Sequence, residues 1–293
     1  MLPAEVLSQV RRLHLRARKL VANALGGEYH SAFKGTGLSF EEVREYQPGD
    51  DIRGIDWNVT ARMGHPFIKR YVEERELTVL LAVDMSASLR FGTQARSKRL
   101  VAAEMAALLT LCAAGNNDRI GLVAFSDRVE RFVKPNKGPR HVLRLLRDVL
   151  AFEPEHRGTN LAAALDSLNK MQRRRAVVFL FSDFQELAAD AFRRTARKHD
   201  LVAVRITDVR EQAWPAVGIV ELEDAETGRR MRIDTRPTAF REAFEARSRA
   251  HQDAFAKLIR ESQVDLIDAS TMGNHFDALL AFFRRRERRR AHG

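Results

Sequence analysis

Cysteine is almost missing from this chain. The single thiol, Cys112, has no partner for an intrachain disulfide. It sits inside an apolar helical run, where it reads as a small core residue rather than a reactive group. Long apolar runs are missing too. No stretch reaches the ~18 residues that a membrane-crossing helix needs. Arg11, Arg12, Arg16, Arg18 and Lys19 interrupt any signal-peptide apolar region at the N-terminus. The expectation is a cytoplasmic protein with no membrane span. Several enzyme signatures are absent as well. Residues 34–37, KGTG, do not supply the GxxxxGK[ST] loop of an ATPase, so the chain should not hydrolyse ATP itself. No GxSxG elbow precedes a helix, which disfavours a serine hydrolase. The nine histidines form no HExxH pair, and His141 and His156 read as surface or cap residues rather than ligands.

What is present allows a sizeable core. The chain has 293 residues, 45% hydrophobic and 30% charged, enough for one large domain or two modest ones. Its net charge of +11 suggests nucleic acid, but the distribution argues otherwise. Residues 1–20 hold five basic residues and one acid, and residues 284–290, RRRERRR, hold six and one. These balances of +4 and +5 leave only +2 for everything between them. A domain that reads nucleic acid normally carries a basic face on its folded body. Solvated helix ends are therefore expected, with an acidic partner surface, RNA, DNA or anionic lipid as alternatives and no specific nucleic acid.

Four stretches divide the chain at 1–27, 28–75, 76–208 and 209–293. In the first, Val6, Val10, Leu13, Ala17, Leu20 and Ala24 form one apolar stripe on a helix over 4–25, which Gly26-Gly27 should end. Residues 28–75 are dense in charge, aromatics and turn signals such as Pro48-Gly49-Asp50, and suggest short strands rather than helix. There Arg44, Asp50, Asp51, Arg53, Asp56 and Arg62 suggest a partly buried charge network around Tyr46 and Trp57, or an interface. From 77 onward strands and helices alternate. Strands are expected at 77–83, 119–125, 176–184 and 201–208, and helices near 96–114, 141–152, from 160, and 186–199. That alternation implies crossover units and a mainly parallel α/β sheet, doubly wound with helices on both faces. A hairpin around Glu226-Thr227-Gly228, a helix at 237–262, a strand at 264–270 and a helix at 276–290 should complete it.

One motif stands out. The buried run Val79-Leu80-Leu81-Ala82-Val83 leads straight into Asp84, Ser86 and Ser88. In doubly wound sheets ligands bind beyond the carboxyl ends of the strands, near the point where strand order reverses. Asp183, in FLFSDF, ends another such strand, and Thr159, in HRGTNL, opens a helix after Gly158. Three loops thus bring two carboxylates and three hydroxyls toward one rim. Oxygen-only donors suit hard divalent cations, Mg²⁺ first and Mn²⁺ or Ca²⁺ next. Neutral hydroxyls leave much of the metal charge unneutralised, so an open position would accept a carboxylate from another protein. The same residue types also favour turns and N-caps for purely structural reasons.

Asp84-x-Ser86-x-Ser88 with Thr159 and Asp183 resembles the metal-ion-dependent adhesion site of von Willebrand factor A domains. That resemblance implies that Ser86, Ser88 and Thr159 touch the metal, and that Asp84 and Asp183 act directly or through water. Phe40, Arg44, Tyr46, PGDD at 48–51, Arg53, IDW at 55–57 and TAR at 60–62 resemble the hallmark of the bacterial family called domain of unknown function 58. Members fuse this hallmark to a von Willebrand A-like domain, and the resemblance spans the chain from about Ala22 to the final helix. It implies partnership with a MoxR-type AAA+ ATPase, a chaperone-like role in assembling or activating other proteins, and no catalytic residue. A Mg²⁺-dependent phosphatase-like hydrolase is the alternative. It fits Asp84, but such sites place a second aspartate where Ser86 stands, and no lysine is evident beside Asp183.

Overall fold

A computed structural model describes residues 25–33, 39–72, 76–93 and 96–291. The expected stripe over 4–24 lies outside these residues. Six strands form the central sheet: β3 (Thr78–Asp84), β4 (Arg119–Phe125), β5 (Val129–Asn136), β6 (Val177–Ser182), β7 (Asp200–Thr207) and β10 (Asp265–Ser270). Their spatial order is β10-β7-β6-β3-β4-β5, parallel throughout except for the β4–β5 pair. Counted from β3, this is the 3-2-1-4-5-6 order of a doubly wound sheet, and the reversal falls between β3 and β6. The expected α/β architecture, a doubly wound and mainly parallel sheet with helices on both faces, is therefore present.

Strand β3 shows why. Both of its faces are covered, so it needs no polar alternation and reads as a continuous apolar run. Val79, Leu81 and Val83 face a layer made by α1 (Gly26–Phe33), α3 (Lys98–Gly115) and α8 (His275–Ala291). Leu80 and Ala82 face α5 (Leu161–Met171), α6 (Ala189–Lys198) and α7 (Thr238–Ser262). Helix α4 (Pro139–Ala151) packs outside α3 through Val142 and Leu146. Cys112 is buried among these side chains, and burial pushes its thiol up to about 12, as suits an inert core position.

Several expectations are corrected. Gly26-Gly27 stand in the first turn of a helix, α1, whose Phe33 packs edge-on to Phe179 at 5.8 Å; the helix expected before them lies outside the described residues. Tyr29 Oη donates to Asp118 Oδ2 at 2.9 Å, pinning α1 to the sheet. The 28–75 stretch is not all strand. An antiparallel pair, β1 (Ser39–Glu45) and β2 (Phe67–Val72), brackets α2 (Trp57–Met63). Asp56 caps α2 by accepting from the Asn58 and Val59 amides, and Gly64 ends it at φ +80°. Arg44 pairs with Asp50 at 2.7 Å, Asp51 accepts from the Arg53 amide, and Trp57 is 70% exposed.

Strand β5 was not expected at all. It is an edge strand that tolerates Pro135, and it runs so close to β4 that a Cβ at Gly121 would meet the Val133 carbonyl oxygen at 2.7 Å. The C-terminal arginines are mostly exposed, as expected of a solvated helix end, but three of them also pair with acids. Arg286 pairs with Asp200 and Asp265 and lies over the Phe33 ring at 4.5 Å; Arg289 pairs with Asp265, and Arg284 with Glu28. Between β7 and β10 the chain inserts the hairpin β8 (Ile219–Glu223) and β9 (Arg230–Asp234), then α7. Among the described residues no helix is long and apolar enough to cross a membrane.

Candidate metal centre at the carboxyl edge of the sheet

Asp84 ends β3 and Asp183 follows β6, so the two carboxylates emerge from the strands that flank the reversal. Asp84 is fully buried. Its Oδ1 accepts from the Ser86 amide at 2.9 Å, and its Oδ2 accepts from the Ser182 hydroxyl at 2.9 Å. Burial, with the nearby negative charge of Asp183 added, pushes the Asp84 carboxyl up to about 7. Ser86 is buried as well, and its Oγ lies 3.0 Å from the Oγ of Ser88. The tight turn after β3 thus sets two hydroxyls side by side, next to the carboxylate that fixes the turn.

Thr159 arrives on a separate loop. The Ala87 amide donates to the Arg157 carbonyl at 2.9 Å, and the Asn160 amide to the Ser126 carbonyl at 3.0 Å. The first bond holds that loop against the Ser86–Ser88 turn, and the second holds it against the end of β4. Asn160 then caps α5 by accepting from the Ala163 amide. The Thr159 hydroxyl itself donates to Glu226 Oε1, at the tip of the β8–β9 hairpin, at 2.8 Å.

Asp183 is engaged differently. Its Oδ2 accepts from the ammonium of Lys98 at 2.6 Å, and its Oδ1 accepts from the Gln185 amide at 3.2 Å. Lys98 also donates to Glu211 and is itself fully buried. The expectation that no lysine lies beside Asp183 is therefore corrected. Lys98 is the first residue of α3, where a cation opposes the helix dipole, and that misfit was the one signal in the sequence. Sequence reasoning also passed over Asp208, a third buried aspartate at a strand end. It accepts from Thr93, Thr271 and the Arg210 amide. Burial pushes this carboxyl up, but those donors outweigh it and hold it below its usual range, so Asp208 serves as a latch between loops.

Among the described residues no group of three or more His, Cys, Asp or Glu side chains is placed to hold a metal ion. The set at this edge has a different composition: Asp84, held by an amide and a hydroxyl, three further hydroxyls, and Asp183 shared with Lys98. The donor chemistry fits a hard cation. Burial, with Asp183 nearby, raises the Asp84 carboxyl to about 7, and a cation beside it would favour the ionised form. With an ammonium on one oxygen, Asp183 suits contact through water better than direct ligation.

The profile of the family described as "Protein of unknown function DUF58" matches residues 42–254. The "Uncharacterized protein Rv1480" of Mycobacterium tuberculosis is 33% identical over 290 residues, 97% of this chain and 90% of that protein. An uncharacterized Mycobacterium avium protein, MAV169, is 30% identical over 164 residues, 53% of this chain and 94% of that protein. Among solved structures, the conserved hypothetical protein BatB from Bacteroides thetaiotaomicron aligns with a TM-score of 0.44 and 13% identity, over 72% of this chain and 99% of that one. The SpRpn10 VWA domain aligns with a TM-score of 0.37 and 13% identity, over 70% and 94%.

Proposed function

The chain belongs to the protein family of unknown function DUF58, and from that premise we propose that it is a divalent-metal-dependent protein-interaction module. The observation that carries this reading is the turn after β3, where buried Asp84 organises the Ser86 and Ser88 hydroxyls at the point of strand reversal. Ser86, Ser88 and Thr159 would hold the cation directly, Asp84 from beneath, and Asp183 through water. When bound, Mg²⁺ or Mn²⁺ supplies a Lewis-acid position that takes a carboxylate from outside. Asp84 stays anchored through its bonds to the Ser86 amide and the Ser182 hydroxyl, so the turn is set before any ligand arrives. Lys98 neutralises Asp183 and leaves the rim short of negative charge, which favours an acidic side chain from a partner.

The partners we assign are a MoxR-type AAA+ ATPase and an acidic residue of its client, with this chain acting without turnover of its own. A second surface supports this. Ile52, Trp57 and Met63 are exposed on the small β1–β2 subdomain, alongside exposed Arg53 and Arg62, the mixture typical of binding hot spots. Co-purification with the ATPase in Mg²⁺, and its loss in EDTA, is the expected result. No recovery in either overturns the partner assignment, and equal recovery in both overturns its dependence on metal.

Lys98 beside Asp183 favours one competing reading, a Mg²⁺-dependent phosphatase. Against it, Ser86 stands where a second aspartate is needed, and the lysine is already bound to two carboxylates. Turnover of phosphate esters abolished by Asp84→Asn and kept by Ser88→Ala would establish it.

A further inference from the structure

The β8–β9 hairpin is an oddity in an otherwise well-covered fold. Ile219 is 66% exposed and Met231 45%, so the hairpin buries little of its own apolar surface. Yet both of its ends are fixed. At the base, Thr235 donates to the Gly218 carbonyl from its amide at 2.9 Å and from its hydroxyl at 2.8 Å. At the tip, Asp224 accepts from the amides of Glu226 and Thr227, both at 2.9 Å, and Gly228 turns the chain at φ +71°. This tip aims Glu226 at Thr159, 67 residues away in sequence, and Oε1 accepts the hydroxyl proton at 2.8 Å.

We propose that Glu226 is the chain's own acidic ligand at the candidate metal centre, and that its hairpin must leave before a partner's carboxylate can enter. The proposal rests on the metal-dependent reading above and adds a regulatory element to it. The chemistry is direct. Thr159 has one proton, which it gives to Glu226, and this leaves its oxygen lone pairs for a cation. A rim that favours an external carboxylate already has one, delivered by a short tether. Tethering gives Glu226 an effective concentration on the order of millimolar, so a weak external acid is excluded and a well-matched partner is required. The hairpin's exposed apolar residues are then the surface that such a partner can grip to draw Glu226 away.

The test uses the full chain with Mn²⁺ as probe. Water-proton relaxation reports how many exchangeable waters remain on the bound ion, and calorimetry reports affinity. Glu226→Gln should bind Mn²⁺ at least roughly tenfold more weakly, since losing a ligand costs no less than losing a group that orients one, and should show greater hydration of the bound ion. Glu221→Gln, on the same hairpin, should match wild type. Equal affinity and hydration in wild type and Glu226→Gln, with binding lost in Asp84→Ala, would overturn the hairpin's role and leave the metal site standing. The same loss in Glu221→Gln would overturn it too, as a general effect of charge. No Mn²⁺ bound by wild type, or undiminished binding after Asp84→Ala, would overturn both the role and the site.

Discussion

Replacing Lys98 with methionine tests the electrostatics of this edge most sharply. The side chain is fully buried, with its ammonium 2.6 Å from Asp183 Oδ2 and in contact with Glu211. Burial alone would lower its pKa. The two carboxylates outweigh that effect and hold the ammonium above its usual range, so it is charged at every working pH. Methionine fills the same volume but leaves Asp183 buried beside Asp84 with no cation. Removing one partner of a buried pair costs about 3–5 kcal/mol, and Lys98→Met should lose that much in urea unfolding with EDTA present, at unchanged m-value. The same deletion removes a positive charge next to the candidate cation site. Mg²⁺ should therefore bind the variant more tightly than wild type, and at a hundredfold excess over its Kd should restore about 2.7 kcal/mol. A loss below about 1 kcal/mol, or Mg²⁺ affinity no higher than in wild type, would refute the assignment of Lys98 as a built-in counter-ion.

Two further outcomes follow from groups far from the site. His199 is buried, and neither ring nitrogen has a hydrogen-bond partner among the described residues; burial, then the charges of Lys198 and Arg175, push it down to about 4. The unfolded chain takes up this proton near pH 6.5 and the native one does not, so stability is lost as pH falls from about 6.5 toward 4. The full effect is roughly 3 kcal/mol, and His199→Gln should remove that part of the slope in urea titrations at pH 7 and pH 4. Arg286→Ala should cost about 2–3 kcal/mol in thermal or urea unfolding, because it takes this cation from Asp200, leaves Asp265 with Arg289 alone and uncovers Phe33. A cost near zero would mean that the C-terminal arginines do not tie α8 to the sheet.

The central sheet was legible in the sequence because its interior strands are buried on both faces. Val79–Val83, the strand from Arg119, the VVFLFS run and LVAVRIT are continuous apolar stretches that solvent-facing chain has no reason to contain. The turn chemistry that follows them was legible for the same reason: an aspartate and two serines contrast with what precedes them. Strand β5 was not, because an edge strand of the sequence VERFVKPN carries charges and a proline, as edge strands do. Helix α2 is seven residues long, too short for periodicity, and only its Asp56 cap and Gly64 stop announce it. The Lys98–Asp183 pair spans 85 positions, and the Thr159–Glu226 contact 67. Such contacts belong to topology, which no local pattern encodes. The ion pairs of Arg284, Arg286 and Arg289 were hidden for the same reason, since their acids, Glu28, Asp200 and Asp265, are distant in sequence.

A crystal of the full chain grown in Mn²⁺ and measured at a wavelength that shows manganese tests the central claim most directly. The account predicts an anomalous peak at roughly 2.0–2.6 Å from the hydroxyl oxygens of Ser86, Ser88 and Thr159, with Asp84 beneath it. Full manganese density elsewhere, with these oxygens still bonded only to one another and to water, would contradict it.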